Sequence, residues 1–303
     1  MKLGFFSIGL SPMSPDEIIR WGAQAGFASV ELGCWPLEAK RGFNGTQLDV
    51  TQITRERAME LLTLSKQRRL SITCLNYSDN NLAHDPAQQN ANLNHLLRVI
   101  EVANWLAVDT VCTFIGRDET KTINENITLA GQVFRPILDY AKSKNVRVCV
   151  ENCPMPGWQQ EGMLGNVAHS PDVWDRLFQV LPDDNFGLNF DPAHAYWLDI
   201  DPARAAREYG HKIFDAHAKD LEIVREQRYR KSILDTVNNV WRIARVPGRG
   251  EIDMVAFIQG LRAGGYDGAL NIELEDPDWL GSPERVQAGM VASLNYLQPL
   301  MQN

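Results

Sequence analysis

The sequence predicts an α/β protein, a single (β/α)8 TIM barrel over residues 1–303, on three observations. Eight short β-rich runs alternate with longer amphipathic stretches, and no Ser-, Gly- or Pro-rich linker or charge run divides them. Four of those runs end on a residue able to bind a metal ion. The two longest departures from the alternation follow strand ends, the face on which barrels of this kind build their sites.

The elements follow in order. LGFFSIG, ASVELGC, LSITCLN, DTVCTFI, VRVCVEN, FGLNFD, IFDAHAK and ALNIELE read as the eight strands, because β-branched or aromatic residues fill them and turn signals bound them. Ser14 with Glu17 forms a capping box that opens the first helix. The clearest helix is TRERAMELLTLSKQRRL, with Ala58, Leu61, Leu62 and Leu64 set among charges. Ser170 and Pro171 read as N-cap and first residue of the fifth helix. The long departures are NCPMPGWQQEGMLGNVAH after the fifth strand and KDLEIVREQRYRKSILDTVNNVWRIARVPGRG after the seventh.

Composition narrows the function classes. With 44% apolar and 22% charged residues among 303, the chain is globular and carries no charged tail. A net charge of −8 argues against a nucleic-acid partner, which needs clustered Lys and Arg. No apolar stretch approaches the roughly 18 residues of a membrane span, and LGFFSIGL is too short for a leader and reads as a strand. A membrane partner is therefore not expected, and a cytoplasmic location is. Five cysteines without a C-x-x-C pair suggest neither a disulfide framework nor a zinc ribbon.

VRVCVE ends on Glu151, NFGLNFD on Asp191, KIFDAH on His217 and GALNIE on Glu273. These residues are too far apart for one local ligand loop, so they have to converge from different strands. Taken singly, a strand-ending Glu is usually a solvated rim residue and a single His a hydrogen-bonded one. Their occurrence at equivalent points of four strands is what carries the argument. Three carboxylates and one imidazole form a hard, oxygen-rich set suited to Mn²⁺ or Mg²⁺, with Co²⁺ or Zn²⁺ also within its range. The three negative charges exceed those of a divalent ion, which leaves a carboxylate oxygen basic enough to take a proton from carbon beside a carbonyl. Strand alternation sends Cys149, Asn189, Asp215 and Asn271, two residues before each ligand, into the barrel as a largely polar layer beneath them.

ENCPM at Glu151–Met155, NFDPAH at Asn189–His194, HAKD at His217–Asp220, PGRGEID at Pro247–Asp253 and IELED at Ile272–Asp276 together resemble the sugar phosphate isomerase/epimerase family. It lies in the xylose-isomerase-like TIM-barrel superfamily, with ketose 3-epimerases, inosose dehydratases and endonuclease IV. The resemblance implies that Glu151, Asp191, His217 and Glu273 bind the metal and that Glu151 and Glu273 are the catalytic acid/base pair. It also implies that His194 contacts substrate, and it favours Glu273 over Glu275, which period two places on the same face. An arginine that some epimerases place six residues past the metal histidine is Ile223 here, so the reaction class is better marked than the sugar.

Lys219 and Asp220 read as substrate contacts or, equally, as an ion pair. Arg249, between two glycines, reads as a phosphate contact or as the lead-in to a helix capped near Asp253. Trp35, Trp158, Trp197 and Trp279 follow strands two, five, six and eight and can stack on a sugar, with Trp158 the substrate-binding candidate. His169 lies in the long fifth loop, within reach of the site. Arg225, Arg228, Arg230 and Arg242 make the seventh loop basic, to meet an anionic group or to cover a neighbouring subunit of a homo-oligomer.

The expected function is a divalent-metal-dependent sugar isomerase/epimerase acting on a keto sugar or related polyol. Glu151 and Glu273 move the proton through a cis-enediolate that the metal stabilises. The alternative is a metal-dependent lyase or dehydratase acting on an inosose or 3-keto-glycoside. An endonuclease-IV-like DNA repair enzyme is less favoured, since it needs more histidine ligands than the six histidines readily supply and a basic groove. A barrel that binds without turnover would show loss of an acid/base Glu, and neither is missing.

Overall fold

The structure is a computed structural model that describes residues 1–37, 45–158, 163–234 and 240–302. Parts of both long departures, residues 159–162 and 235–239, lie outside the described residues. The strands are β1 Lys2–Phe6, β2 Ser29–Gly33, β3 Ser71–Asn76, β4 Thr110–Thr113, β5 Arg147–Glu151, β6 Phe186–Phe190, β7 Ile213–Ala218, β8 Asp220–Ile223, β9 Arg242–Arg245 and β10 Ala269–Ile272. The helices are α1 Pro15–Ala25, α2 Arg55–Arg68, α3 Pro86–Trp105, α4 Ile123–Ser143, α5 Pro171–Val180, α6 Pro192–Trp197, α7 Pro202–Tyr209, α8 Arg225–Lys231, α9 Met254–Ala263 and α10 Pro283–Leu300.

Eight parallel strands close into a barrel in the order β1-β10-β7-β6-β5-β4-β3-β2, so each of the eight expected runs is a barrel strand. Helices cover the outside and side chains fill the inside, which is why β2, β4, β6 and β10 are buried along their whole length. Phe5, Phe134, Trp174 and Phe186 anchor the layer between sheet and helices, each completely buried. Burial of such side chains contributes roughly 1.5–3 kcal/mol apiece. Gly4 faces inward on β1, where a Cβ would stand 2.3 Å from both Asn271 Oδ1 and Ser29 Oγ, so only glycine leaves room for that amide.

Local signals account for most helix starts. Both halves of the Ser14–Glu17 capping box are present at α1, and Thr54 caps α2. Ser170 and Pro171 hold the expected N-cap and first positions of α5; the Ser170 side chain makes no capping hydrogen bond, and the ring of Pro171 sets the helix entry. The stretch after β7 holds more structure than an open loop. β8 and β9 pair antiparallel, and α8 lies between them.

The barrel interior is polar from the middle upward. Asn189 Nδ2 reaches Cys112 Sγ at 3.1 Å, and Asn271 Nδ2 reaches Asp215 Oδ1 at 3.0 Å. Below them Cys74, Cys112 and Cys149 cluster, and all five cysteines are free and buried. Of the layer expected two residues before each strand end, Asn189, Asp215 and Asn271 are thus hydrogen-bonded, whereas Cys149 belongs to the cysteine cluster.

Candidate metal centre

Four strand ends bring their side chains to one point above that layer. Glu151 closes β5, Asp191 follows β6, His217 lies near the end of β7 and Glu273 follows β10. Each offers a ligand atom within 4.8 Å of every other, and all four residues are buried. Asp191 also caps α6: Oδ1 accepts from Ala193 N at 2.7 Å, which turns Oδ2 toward the centre. Neither Asp191 Oδ2 nor His217 Nδ1 has a hydrogen bond of good geometry, although both are buried. Their close neighbours are ion-pair partners, Lys219 Nζ at 2.8 Å from Asp191 Oδ2 and Glu273 Oε2 at 3.0 Å from His217 Nδ1, and the four converging donors form a hard oxygen-rich set that fits a divalent ion.

Lys219, expected as a substrate contact, stands among these carboxylates. Its Nζ is 2.8 Å from Asp191 Oδ2, 2.8 Å from Glu273 Oε2 and 3.0 Å from Glu275 Oε2. Glu275 is half-exposed and serves as that ion-pair partner. His194 joins from α6, with Nε2 at 3.4 Å from both Glu151 Oε1 and Asp191 Oδ2 and 3.2 Å from Lys219 Nζ.

The charges shift one another. Burial opposes the Lys219 ammonium, but Asp191, Glu273, Glu275 and Glu151 outweigh it and hold its pKa well above the ordinary value. Burial likewise opposes the His217 imidazolium, and Glu31 with Glu273 raises it well above its usual range. Glu273 is pushed up by burial yet ends well below the carboxylate range, because Lys219 and His217 face it. Glu151 is raised, mainly by burial and by the Glu273 charge, with His194 acting the other way.

A cleft of about 380 Å³ lies beside the centre, lined among others by Cys153, His194, Trp197, Lys219, Arg242 and Glu275, of which His194 and Lys219 also contact the converging carboxylates. Of the four arginines in the seventh-strand excursion, Arg242 reaches it, lying 3.9 Å over the Trp197 ring with its pKa drawn down to about 10 by burial. Arg225 pairs instead with Glu251, and Arg230 with Glu226.

Three expected substrate contacts have other surroundings. Asp220 is fully buried and accepts four backbone amides, from Leu221, Gly248, Gly250 and Ile252, at 2.8–3.0 Å. It clamps the PGRGEID loop to β8, which leaves it nothing to offer a substrate. Arg249 is half-exposed and lies 3.6 Å from Asp278, away from the carboxylate cluster. Trp158 packs edge-on to Phe114 and is not among the side chains lining the cleft. His169 is also outside the cluster, and burial lowers its pKa.

Sequence reasoning missed Glu31. It is completely buried on β2, and its Oε2 lies 2.9 Å from His217 Nε2, on the side of the ring opposite the centre. With Cys74 and Asp215 it forms a deeper group of ligand-type side chains. The signal was available: in ASVELGC, Val30 and Leu32 alternate with Glu31, so period two points a carboxylate into the barrel.

Fold and site together define a barrel whose rim gathers side chains able to hold a metal ion. The chain belongs to the xylose isomerase-like TIM barrel family, whose description matches residues 19–299. It is 24% identical to the uncharacterized protein YfiH of Bacillus subtilis, over 98% of each chain. It is also 24% identical to a 3-dehydroshikimate dehydratase of Pseudomonas aeruginosa, over 98% of this chain but only 42% of that larger protein. Among solved structures, the IOLI protein with a binding zinc atom superposes with a TM-score of 0.74 at 16% identity, covering 100% of this chain and 99% of that one.

Proposed function

We propose that this protein is a divalent-metal-dependent enzyme that enolises a keto sugar or related polyol, acting as an isomerase or epimerase. The observation that carries the reading is the arrangement of the rim. Asp191, just past β6, and His217, on the adjacent β7, are flanked by Glu151 on β5 and Glu273 after β10, and all four ligand atoms converge. When bound there, Mn²⁺ or a similar ion supplies a Lewis acid for the substrate carbonyl and the hydroxyl beside it.

The chain's own residues do the rest. Asp191 and His217 anchor the ion. Glu273, kept ionised by Lys219 and His217, takes the proton from the α-carbon, and Glu151 returns one to the other side. Lys219 holds its ammonium against Glu273 and compensates the acidic excess as substrate charge develops. His194 orients a substrate hydroxyl from the cleft, and Trp197 beneath Arg242 walls off water.

A second reading, elimination of a β-hydroxyl after the same proton abstraction, is favoured by the contact of Lys219 Nζ with His194 Nε2 at 3.2 Å. That pair can pass a proton to a departing oxygen, and a dehydratase among the relatives agrees with it. The test is solvent-deuterium exchange at the α-carbon across a panel of keto polyols, with product mass recorded. Glu151→Gln and Glu273→Gln are both expected to abolish exchange while the fold persists. Undiminished exchange in both removes the reading, and loss of water from the product selects elimination.

A further inference from the structure

The His217 imidazole is held on three sides, and only one of them belongs to the metal centre. Its Nδ1 faces Glu273 Oε2 at 3.0 Å, Glu151 Oε1 at 3.9 Å and Asp191 Oδ2 at 4.0 Å. The Phe6 ring stacks on its face, with centroids 5.6 Å apart and planes 20° from parallel. Nε2 points the other way, down into the barrel, where it meets Glu31 Oε2 at 2.9 Å.

Glu31 is unusual for an interior strand residue. A buried carboxylate is costly unless its oxygens are satisfied, and a barrel needing only volume would carry Leu or Val there. Here donors converge on it from three strands. Asn76 Nδ2 on β3 lies 2.7 Å from Oε1, while His217 Nε2 on β7 and Asn271 Nδ2 on β10 reach Oε2 at 2.9 and 3.5 Å. Two other groups approach the same imidazole nitrogen. Asp215 Oδ2 is 3.9 Å away and already receives the Asn271 amide. Asn189 Nδ2 is 3.1 Å away, but an amide nitrogen is a donor and cannot accept the Nε2 proton; it donates to Cys112 Sγ at 3.1 Å instead.

We propose that Glu31 is a positioning residue of the metal centre: it accepts a hydrogen bond from the Nε2–H of His217 from below, which keeps the proton on Nε2 and so presents Nδ1, unprotonated, to the ion. The proposal rests on the reading of the rim as a divalent-metal site. Glu31 lies outside the group of four converging ligands and acts only through His217. A histidine that binds a metal through one nitrogen commonly donates the other N–H to a carboxylate, which fixes the tautomer and ring orientation and makes the ligand nitrogen more basic. The Asn76 amide in turn fixes the carboxylate, so the orientation is transmitted from β3 through β2 to β7.

The experiment uses the full chain and metal ions alone. Mn²⁺ binding is followed from the signal of the free ion in electron paramagnetic resonance, and Co²⁺ binding from its visible absorption. Glu31→Gln keeps volume but can turn an amide N–H toward Nε2, which favours the wrong tautomer. It is expected to weaken Mn²⁺ binding by about 10- to 100-fold and to alter the Co²⁺ spectrum, with the far-ultraviolet circular dichroism of the metal-free protein unchanged. Glu31→Asp, which keeps the charge, is expected to recover part of the affinity. Wild-type affinity and spectrum in Glu31→Gln overturn the proposal.

Should Glu31→Gln not fold, the wild-type protein answers by itself. Nitrogen-15 spectra of the Zn²⁺-loaded protein are expected to show His217 protonated at Nε2 and metal-shifted at Nδ1, and ligation through Nε2 overturns the assignment. If wild-type protein takes up none of these ions, the metal reading itself falls, a result distinct from equal binding by wild type and Glu31→Gln.

Discussion

The ammonium of Lys219 lies 2.8 Å from Glu273 Oε2, inside the group of side chains that converge to hold a cation. In the proposed metal site, lysine and ion would therefore share carboxylates. Without the ion, Lys219 and His217 supply the positive charge that lets Asp191, Glu151 and Glu273 stay close together. Lys219→Met removes a buried ion-pair partner and is expected to destabilise the metal-free protein by about 3–5 kcal/mol. The same change frees carboxylate oxygens for the ion, so the rise in melting temperature on adding Mn²⁺ should exceed that of wild type. Thermal unfolding of both proteins with Mn²⁺ and with EDTA checks this, and an unaltered metal-free stability would show that the lysine is not the counter-charge.

Metal uptake should strengthen with rising pH. The folded-state pKa of His217 is raised above its ordinary 6.5, so its protonated form stabilises the metal-free fold fully below that value. That stabilisation is lost as pH rises through the raised folded value. An ion needs Nδ1 bare and so competes with the proton. Glu273 is depressed, and its contribution disappears only as pH falls through a value well under 4.5, outside this window. The Mn²⁺-dependent gain in melting temperature is thus expected to be small while folded His217 keeps its proton and to grow as pH rises toward its raised folded value, above the ordinary 6.5. A gain that does not vary with pH contradicts the placement of His217.

Asp220 and Gly250 should behave as one unit. The carboxylate holds four backbone amides, and a Cβ at Gly250 would come within 2.3 Å of Asp220 Oδ1. Asp220→Ala strands buried donors, and a cost of at least about 3 kcal/mol is expected from their lost charge-assisted bonds. Gly250→Ala is expected to act in the same direction, and the double variant to cost less than the sum, because both break one contact. Urea unfolding of the three variants measures this, and strict additivity would separate the two residues.

The barrel was legible because each strand is a short β-rich run between turn signals, and burial on both faces keeps those runs apolar. The rim was legible for a different reason: Glu151, Asp191, His217 and Glu273 stand at strand ends, where a polar residue interrupts an apolar pattern. Glu31 stands mid-strand, and its meaning depends on which residue lies across the barrel, His217, 186 positions later in the chain. Asp220 follows His217 so closely that its position suggested substrate. Its partners are backbone amides of a loop about 30 residues on, which no local pattern records. Hydrogen bonds between distant segments leave no periodic mark in the sequence.

Asp191 performs two tasks with two oxygens, and substitutions can separate them. Oδ1 caps α6 through Ala193 N, while Oδ2 faces the centre beside Lys219. Asparagine caps a helix about as well as aspartate, whereas alanine costs about 1 kcal/mol at such a position. Asp191→Asn and Asp191→Ala are both expected to lose Mn²⁺ affinity, since each removes the anionic oxygen. Both also remove one of the carboxylates facing Lys219, so that loss cancels when the variants are compared. The remaining difference is the cap, and Asp191→Ala should be the less stable by about that 1 kcal/mol in urea unfolding without metal. Equal stability would mean that Oδ1 does not hold the start of α6, and with it the aim of Oδ2 would lose its explanation.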